Sequence, residues 1–325
     1  MKNLPLVSVI IAVKDETDLL RLCLNDLLEQ TYDNLEIIVV DDGSKQETKD
    51  VLDAFTDERI VQITLDENLG QAEARNIGFK EAKGVFIAIA DSDDRYNRNR
   101  IELQADYLEI HPHIDIVGSQ FVVNEGKKQW EIYNDHYLIY HQFLLNNPII
   151  HSSVFFRSEL LENGYSYDTD TLPEDYELFA KHRNQWIFHN LKEPLTRYTI
   201  KERKKEDVLC LKLNARTIRK KVLLEYLKNS TENEIELHHN FSELNPGINY
   251  KVLQTWIDKL LFTQPKYSSN HRDLKHILYR QFWLYLRKCN LNCYKFQKLK
   301  VLYKSQHNPV YFLKNAVKIV IGKSL

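Results

Sequence analysis

Val85-Phe86-Ile87-Ala88-Ile89-Ala90-Asp91-Ser92-Asp93-Asp94 runs from an unbroken apolar stretch into three carboxylates within four positions. A strand that is apolar at every residue is buried on both faces, the habit of a parallel sheet covered by helices. Carboxylates this close repel one another and retain protons unless a cation neutralises them. A hard divalent ion takes such oxygens as ligands and shares them with the phosphates of a nucleotide. Read alone, the same residues also suit a solvated acidic loop ahead of a helix, with Asp94 as its N-cap.

The arrangement repeats upstream. Val7 to Val13 (VSVIIAV) reads as a buried strand. In the helix that follows, Leu19, Leu20, Cys23, Leu24, Leu27 and Leu28 fall at helical spacing, with Asp15 and Thr17 placed to cap it. Leu35 to Val40 reads as a second buried strand ending in Asp41-Asp42-Gly43-Ser44, where Gly43 permits a tight turn. Lys45 to Phe55 predicts a helix and Ile60 to Thr64 a short strand, and Asn68-Leu69-Gly70 turns the chain into a helix over Gln71 to Ala82 that Gly84 ends. Four strands of a doubly wound α/β sheet thus finish on one edge, two of them in carboxylates, where open α/β sheets bind ligands. The sequence has no Gly-x-Gly-x-x-Gly and no Gly-x4-Gly-Lys-Ser/Thr, which disfavours dinucleotide and P-loop chemistry.

The 325 residues, 43% hydrophobic, suffice for two domains or for one large α/β domain with a helical extension. Nothing at the start reads as a secretory signal, and no apolar run is long enough to span a membrane. The four cysteines, Cys23, Cys210, Cys289 and Cys293, suit a reducing cytoplasm; Cys289 and Cys293 read as thiols on one helix face and not as zinc ligands. The formal charge of −2 conceals a division, because from Lys251 onward 15 Lys and Arg face only Asp258 and Asp273, giving +13 there and −15 before it. In that region Leu274, Ile277, Leu278, Phe282, Leu284 and Tyr285 alternate with Lys275, Arg280, Arg287 and Lys288. Such a face can pack on the rest of the chain or lie on an anionic leaflet, where each nearby basic side chain contributes ~1 kcal/mol. The expectation is a cytoplasmic protein, peripheral at the inner face of the cytoplasmic membrane. Nucleic acid is not expected as a partner, since the acidic first 250 residues would repel a polyanion.

Taken in order, VSVIIAV (7–13), LEIIVVDDGS (35–44), NLGQAEARNIGFKEAKG (68–84) and VFIAIADSDD (85–94) resemble the inverting family 2 glycosyltransferases of the GT-A fold. Agreement continues in NPIIHSSVFFR (147–157) and LPEDYELF (172–179), so the resemblance covers about residues 5–200. It implies a Rossmann-like GT-A catalytic domain with a mostly parallel sheet over about 1–205, followed by a helical, basic region over 206–325. The implied activity is metal-dependent, inverting transfer from a nucleotide-diphosphate sugar, with UDP as the nucleotide, to a hydroxyl of a glycan or glycolipid acceptor such as lipooligosaccharide, lipopolysaccharide or capsule. UDP-N-acetylhexosamine and UDP-galactose are the first donors to consider.

By that resemblance Mn²⁺ or Mg²⁺ sits on Asp93, with Asp91 on the ribose or on the metal through water. Ala12, Asp15, Asp41, Asp42, Arg75, Asp91, Ser92 and His151 contact the nucleotide sugar. Asp41 accepts the imide N–H of uracil, Asp42 orients its loop or the ribose, and Arg75 pairs with Asp41, Asp91 or the diphosphate. Asp175 is the general base, and Glu174 orients it or touches the acceptor. His151 meets the leaving phosphate or the acceptor, or is a hydrogen-bonded packing residue. The first strand departs from the family pattern: Ala12-Val13-Lys14-Asp15 stands where Pro-x-Tyr/Phe-Asn is common, so an aromatic that would stack on the base is missing. Trp130, Tyr133, Tyr137 and Tyr140 read as a sugar platform or, more commonly at such density, as core. Two other functions fit parts of the chain, a sugar-1-phosphate nucleotidyltransferase, whose first loop would normally be glycine-rich, and a non-catalytic membrane-binding module built on the basic tail.

Overall fold

The structure is a computed structural model that describes residues 4–123, 128–130, 132–202, 204–264 and 269–288. Its first half alternates as the sequence predicts: β1 (Val7–Val13), α1 (Asp18–Leu28), β2 (Leu35–Asp41), α2 (Gln46–Asp53), β3 (Ile60–Thr64), α3 (Gln71–Glu81) and β4 (Phe86–Asp91). These strands pair in parallel in the order β3-β2-β1-β4. Val9, Ile11, Leu20, Leu24, Leu27, Ile37, Val39, Ala88 and Ala90 have no exposed surface, and each large aliphatic side chain so buried contributes about 1.5–3 kcal/mol. The register sets Ala12 opposite Asp91 and Val13 opposite Asp41, so the acid-bearing strand ends share one edge with the end of β1.

Two loops at that edge are tied together. Gly43 has φ +64°, and a Cβ there would sit 2.8 Å from the Glu67 carbonyl carbon, so both conformation and space require glycine. The expected capping of α1 does not form. Thr17 stands at the N-cap with no side-chain bond, while Asp15 accepts from the Lys45 amide at 2.9 Å, which joins the ends of β1 and β2 instead.

The second half changes direction. It comprises β5 (Arg95–Tyr96), α4 (Arg100–Ile110), β6 (Ile116–Val123), β7 (Lys128–Trp130), α5 (His136–Gln142), a 3-10 turn at His151–Ser153, β8 (Phe155–Arg157), α6 (Glu159–Glu162), α7 (Glu174–His182) and β9 (Phe188–Tyr198). The sheet continues β4-β8-β6-β9-β5, with β7 on β6, to nine strands among the described residues. The β4/β8, β6/β8 and β5/β9 pairs are antiparallel, and β6/β9 is parallel with a bulge. The 3-10 turn at His151–Ser153 leads directly into β8. Buried side chains of α4 take up the carbonyls at the end of this turn, as Gln104 Nε2 donates to Ser153 O at 2.7 Å and Arg100 Nη2 donates to Val154 O at 3.3 Å.

The chain forms two compact units. One holds the described residues up to Ile139 with Asn147–Ala215, and the other holds Tyr140–Asn146 with the described residues from Arg216 onward. The division thus runs inside α8 (Lys205–Tyr226) instead of at 205, and a seven-residue segment from the middle of the chain belongs to the second unit.

In the second unit α9 (Glu232–Ser242) starts in a Thr231/Glu234 capping box, and α10 (Tyr250–Leu261) and α11 (Ser269–Lys288) follow. Leu274, Ile277, Leu278, Phe282 and Tyr285 of α11 are 0–1% exposed. This corrects the leaflet-facing reading of that stripe: the unit's own core covers it. The chain beyond 288, including Cys289, Cys293 and most of the basic tail, lies outside the described residues. Among the described residues no helix is long and apolar enough to cross a membrane.

His238 lies in the core of this unit, its Nε2 2.8 Å from Leu144 O and its Nδ1 3.4 Å from the Trp256 indole nitrogen. Burial pushes its pKa down to about 3, and burial likewise takes His239 to about 4. A histidine neutral when folded but protonated below 6.5 when unfolded withdraws stability as pH falls from 6.5 toward those values. For His238 alone this is about 2 kcal/mol at pH 5. The melting temperature followed by tryptophan emission is therefore expected to drop between pH 7.5 and 5, and less steeply in His238→Gln. Identical slopes in the two proteins would place the acid sensitivity elsewhere.

Candidate active site

The three carboxylates after β4 diverge into different environments. Asp94 is fully buried and accepts from the Ser152 hydroxyl and from the Thr199 amide, the latter at 2.7 Å. Burial first, and then the neighbouring Asp91 charge, push its carboxyl up to about 8. Helix α4 begins later, with Asn99 at its N-cap, so Asp94 is neither a cap nor a ligand on offer: it pins the 3-10 turn to the exit of β9. Asp91 accepts from Arg75 at 2.7 Å and lies 3.3 Å from His151 Nδ1 through the same oxygen. Its burial works toward a higher pKa, but His151 and Arg75 outweigh it and hold the group well below the usual carboxylate range. Asp93, 29% exposed, faces Lys201 Nζ at 2.9 Å, and the same ammonium reaches Glu16 at 2.5 Å. Ser92 occupies the turn between Asp91 and Asp93, half-buried.

Arg75 of α3 is 4% exposed and donates in two directions, to Asp91 and, at 2.8 Å, to Glu174 in the first turn of α7. Of the partners expected for it, Asp91 is present and Asp41 is not. Glu174, also 4% exposed, accepts in addition from Gln71 Nε2 at 2.6 Å. One guanidinium therefore joins the acid strand end of β4 to the acid pair of α7, 83 positions apart in sequence.

Half-buried Asp175 accepts from Asn147 Nδ2 at 2.8 Å and from the Tyr176 amide at 2.7 Å. Burial is the main cause that pushes its carboxyl up to about 6; His151 opposes the shift and Glu174 adds to it. Asn147 was not anticipated, since an Asn-Pro pair carries no sign that its amide meets an acid 28 positions on.

On the nucleotide side, Asp41 accepts from the Ser44 amide at 2.9 Å through Oδ1, while its buried Oδ2 has no hydrogen-bond partner among the described residues. Asp42 commits both oxygens to the Leu69 and Gly70 amides, at 2.6 and 3.0 Å, and so orients the loop ahead of α3. Ala12 is nearly buried at the end of β1, Asp15 is exposed at φ 50°, and Lys14 donates to Gly43 O. His151 Nε2 lies 2.8 Å from the Tyr167 hydroxyl.

The aromatic core lies elsewhere than expected. Tyr137 is 49% exposed and Tyr133 and Tyr140 are half-buried, while the side chain of Trp130 is outside the described residues. The stacked cluster is Phe156, Tyr165 and Trp186 with Phe79 against Tyr167, and it backs His151 and Arg75.

Among the described residues no group of three or more His, Cys, Asp or Glu side chains is arranged to hold an ion. Asp93 nevertheless fits a cation whose remaining ligands come from a diphosphate and water, because it is partly exposed and already has a cation, the Lys201 ammonium, at its oxygen. Asp91 commits its Oδ1 to Arg75 and His151.

Parallel strands that deliver acids at their C-terminal ends, continued by a mixed half that returns a second acid pair to them, form the layout of GT-A glycosyltransferases. A solved structure shares the fold: Staphylococcus aureus TarS residues 1–349 in complex with UDP-GlcNAc aligns over 98% of this chain and 91% of that one, at 16% identity and a TM-score of 0.60. The glycosyl transferase family 2 model matches residues 8–163 of this chain. A Haemophilus influenzae protein described as an uncharacterized glycosyltransferase is 27% identical over 93% of this chain and 100% of its own length. The Escherichia coli protein named UDP-Glc:alpha-D-GlcNAc-diphosphoundecaprenol beta-1,3-glucosyltransferase WfaP is 40% identical over 32% of this chain, and the chain spans 41% of that protein's length.

Proposed function

We propose that this glycosyltransferase moves a sugar from a UDP-sugar, with inversion, to a hydroxyl of a surface-glycan acceptor carried on lipid. The observation that bears most on this reading is the Arg75 bridge, which sets Asp91 and Glu174 at 2.7 and 2.8 Å from one guanidinium and so brings the donor-side acids and Asp175 into one site. Asp175 takes the proton of the acceptor hydroxyl as its oxygen attacks the anomeric carbon. The bond from that carbon to the diphosphate breaks, and UDP departs with the electron pair. A raised pKa suits a base that must both gain and release a proton near neutrality. Glu174, fixed by Arg75 and Gln71, is a positioning residue beside it. Asp41 offers its unpartnered oxygen to the uracil N–H; buried acceptors without donors are uncommon, which favours a ligand group there. Bound at Asp93, Mn²⁺ or Mg²⁺ would stabilise the negative charge that grows on the diphosphate. The UDP-sugars in the names of WfaP and the TarS complex, and the diphosphoundecaprenol acceptor of the former, support the choice of donor nucleotide and acceptor class.

The test is UDP, GDP or dTDP release from a panel of nucleotide sugars with Mn²⁺ or Mg²⁺, repeated with EDTA and with Asp93→Asn. Slow hydrolysis of one UDP-sugar, lost in both controls, is expected. Release that persists in EDTA and in the variant would remove the metal from the scheme, and preference for a GDP-sugar would overturn the role given to Asp41.

A further inference from the structure

Within three residues of the end of β9 the chain is fastened across the acid loop at two points: Thr199 donates its amide to Asp94 at 2.7 Å, and Lys201 places its ammonium between Asp93 and Glu16. Glu16 and Asp93 leave the ends of adjacent strands β1 and β4, and the single ammonium neutralises one of their two charges. We propose that Lys201 is the resident counter-cation of Asp93 and surrenders that place to the divalent metal, so that metal binding releases the Lys201 end of this segment from the acid loop. The inference rests on the reading of Asp93 as the metal ligand.

Magnitudes favour exchange. Lys201 is 45% exposed, and ion pairs of that exposure contribute little to stability. A divalent ion brings twice the charge to the same hard oxygens and needs no long side chain held in one rotamer. Metal affinity and attachment of the segment are then linked, and whatever strengthens one weakens the other by the same factor. Glu16 contributes by holding the ammonium from its far side, 2.5 Å away.

Mn²⁺ binding, read by the loss of the free-ion EPR signal in the presence of UDP, tests this on the full chain without turnover. Lys201→Met and Lys201→Gln are expected to bind Mn²⁺ about two- to fivefold more tightly than the parent. Lys204→Met, which removes an equal charge three residues further on, is expected to change nothing. In the parent, acetylation of Lys201 read by mass spectrometry is expected to rise when Mn²⁺ is added. Unchanged or weaker Mn²⁺ binding in both Lys201 variants, with binding lost in Asp93→Asn, would overturn the inference and leave the metal at Asp93 standing. Mn²⁺ binding retained in Asp93→Asn would instead remove the metal reading itself. Equal tightening by Lys204→Met would reduce the effect to general charge and overturn the exchange.

Discussion

Asp175→Asn is expected to slow transfer by ~10²–10⁴-fold while donor affinity stays where it is. The loss corresponds to a barrier about 3–5 kcal/mol higher. Structural damage from the same change is smaller. The carboxylate serves two donors, Asn147 Nδ2 and the Tyr176 amide, and an amide has one acceptor for them, a mismatch of ~1 kcal/mol. Thermal stability and rate are therefore expected to part company. A pH profile sharpens the test: with its carboxyl at about 6, Asp175 must lose a proton to act, so kcat/KM should rise with pH through about 6 and level off above it. The residual rate of the variant should be flat across that range. A variant that keeps both the rate and the acid limb would move the base to another group.

Arg75→Met should have the largest effect on folding. It leaves Glu174 with buried charge and no counter-ion and Asp91 with His151 alone, and removing one partner of a buried pair typically costs about 3–5 kcal/mol. The sign with pH follows from Asp91. Its folded pKa lies below the unfolded 3.8, so in the parent it contributes stability that is present above 3.8 and is lost as pH falls through the lower folded value. In the variant Asp91 loses the guanidinium that depresses its pKa and takes up a proton at higher pH when folded. The gap between the two proteins in urea unfolding is therefore expected to be widest at neutral pH and to narrow toward pH 4. Adding Glu174→Gln to Arg75→Met should recover part of the loss. A gap below 1 kcal/mol at pH 7 would mean that water, not Arg75, satisfies these carboxylates.

The first half of the fold was legible because two independent signals coincide there. Strands β1, β2 and β4 are apolar at their buried positions apart from Ser8 and the terminal Asp41, and α1 carries leucines at helical spacing. The second half mixes its signals. β8 has three residues, and β9 contains Lys192, Glu193 and Pro194 at a bulge, so neither shows a strand period. At the site, residue types were readable and partnerships were not. That Asp41, Asp91 and Asp93 sit on one edge follows from strand ends, whereas the union of Arg75 with Glu174, or of Asn147 with Asp175, depends on how chain segments 99 and 28 residues apart come together. Asp94 illustrates the limit, since nothing local distinguishes it from Asp93, yet Ser152 and Thr199 make it an internal fastening.

The seven residues Tyr140–Asn146 make this chain poorly modular. Phe143, Leu144 and Leu145 are 0–1% exposed, and the rest of the unit they belong to begins at Arg216, inside α8. A catalytic fragment cut at 205 would retain this greasy loop and discard its cover, including Tyr226, which meets His141 at 2.7 Å, and His238, which meets Leu144 O. The same order matters at the ribosome. At ~5–20 residues per second the segment waits several seconds for the roughly 70 residues that precede its cover. During that interval it is a ready binding place for a chaperone.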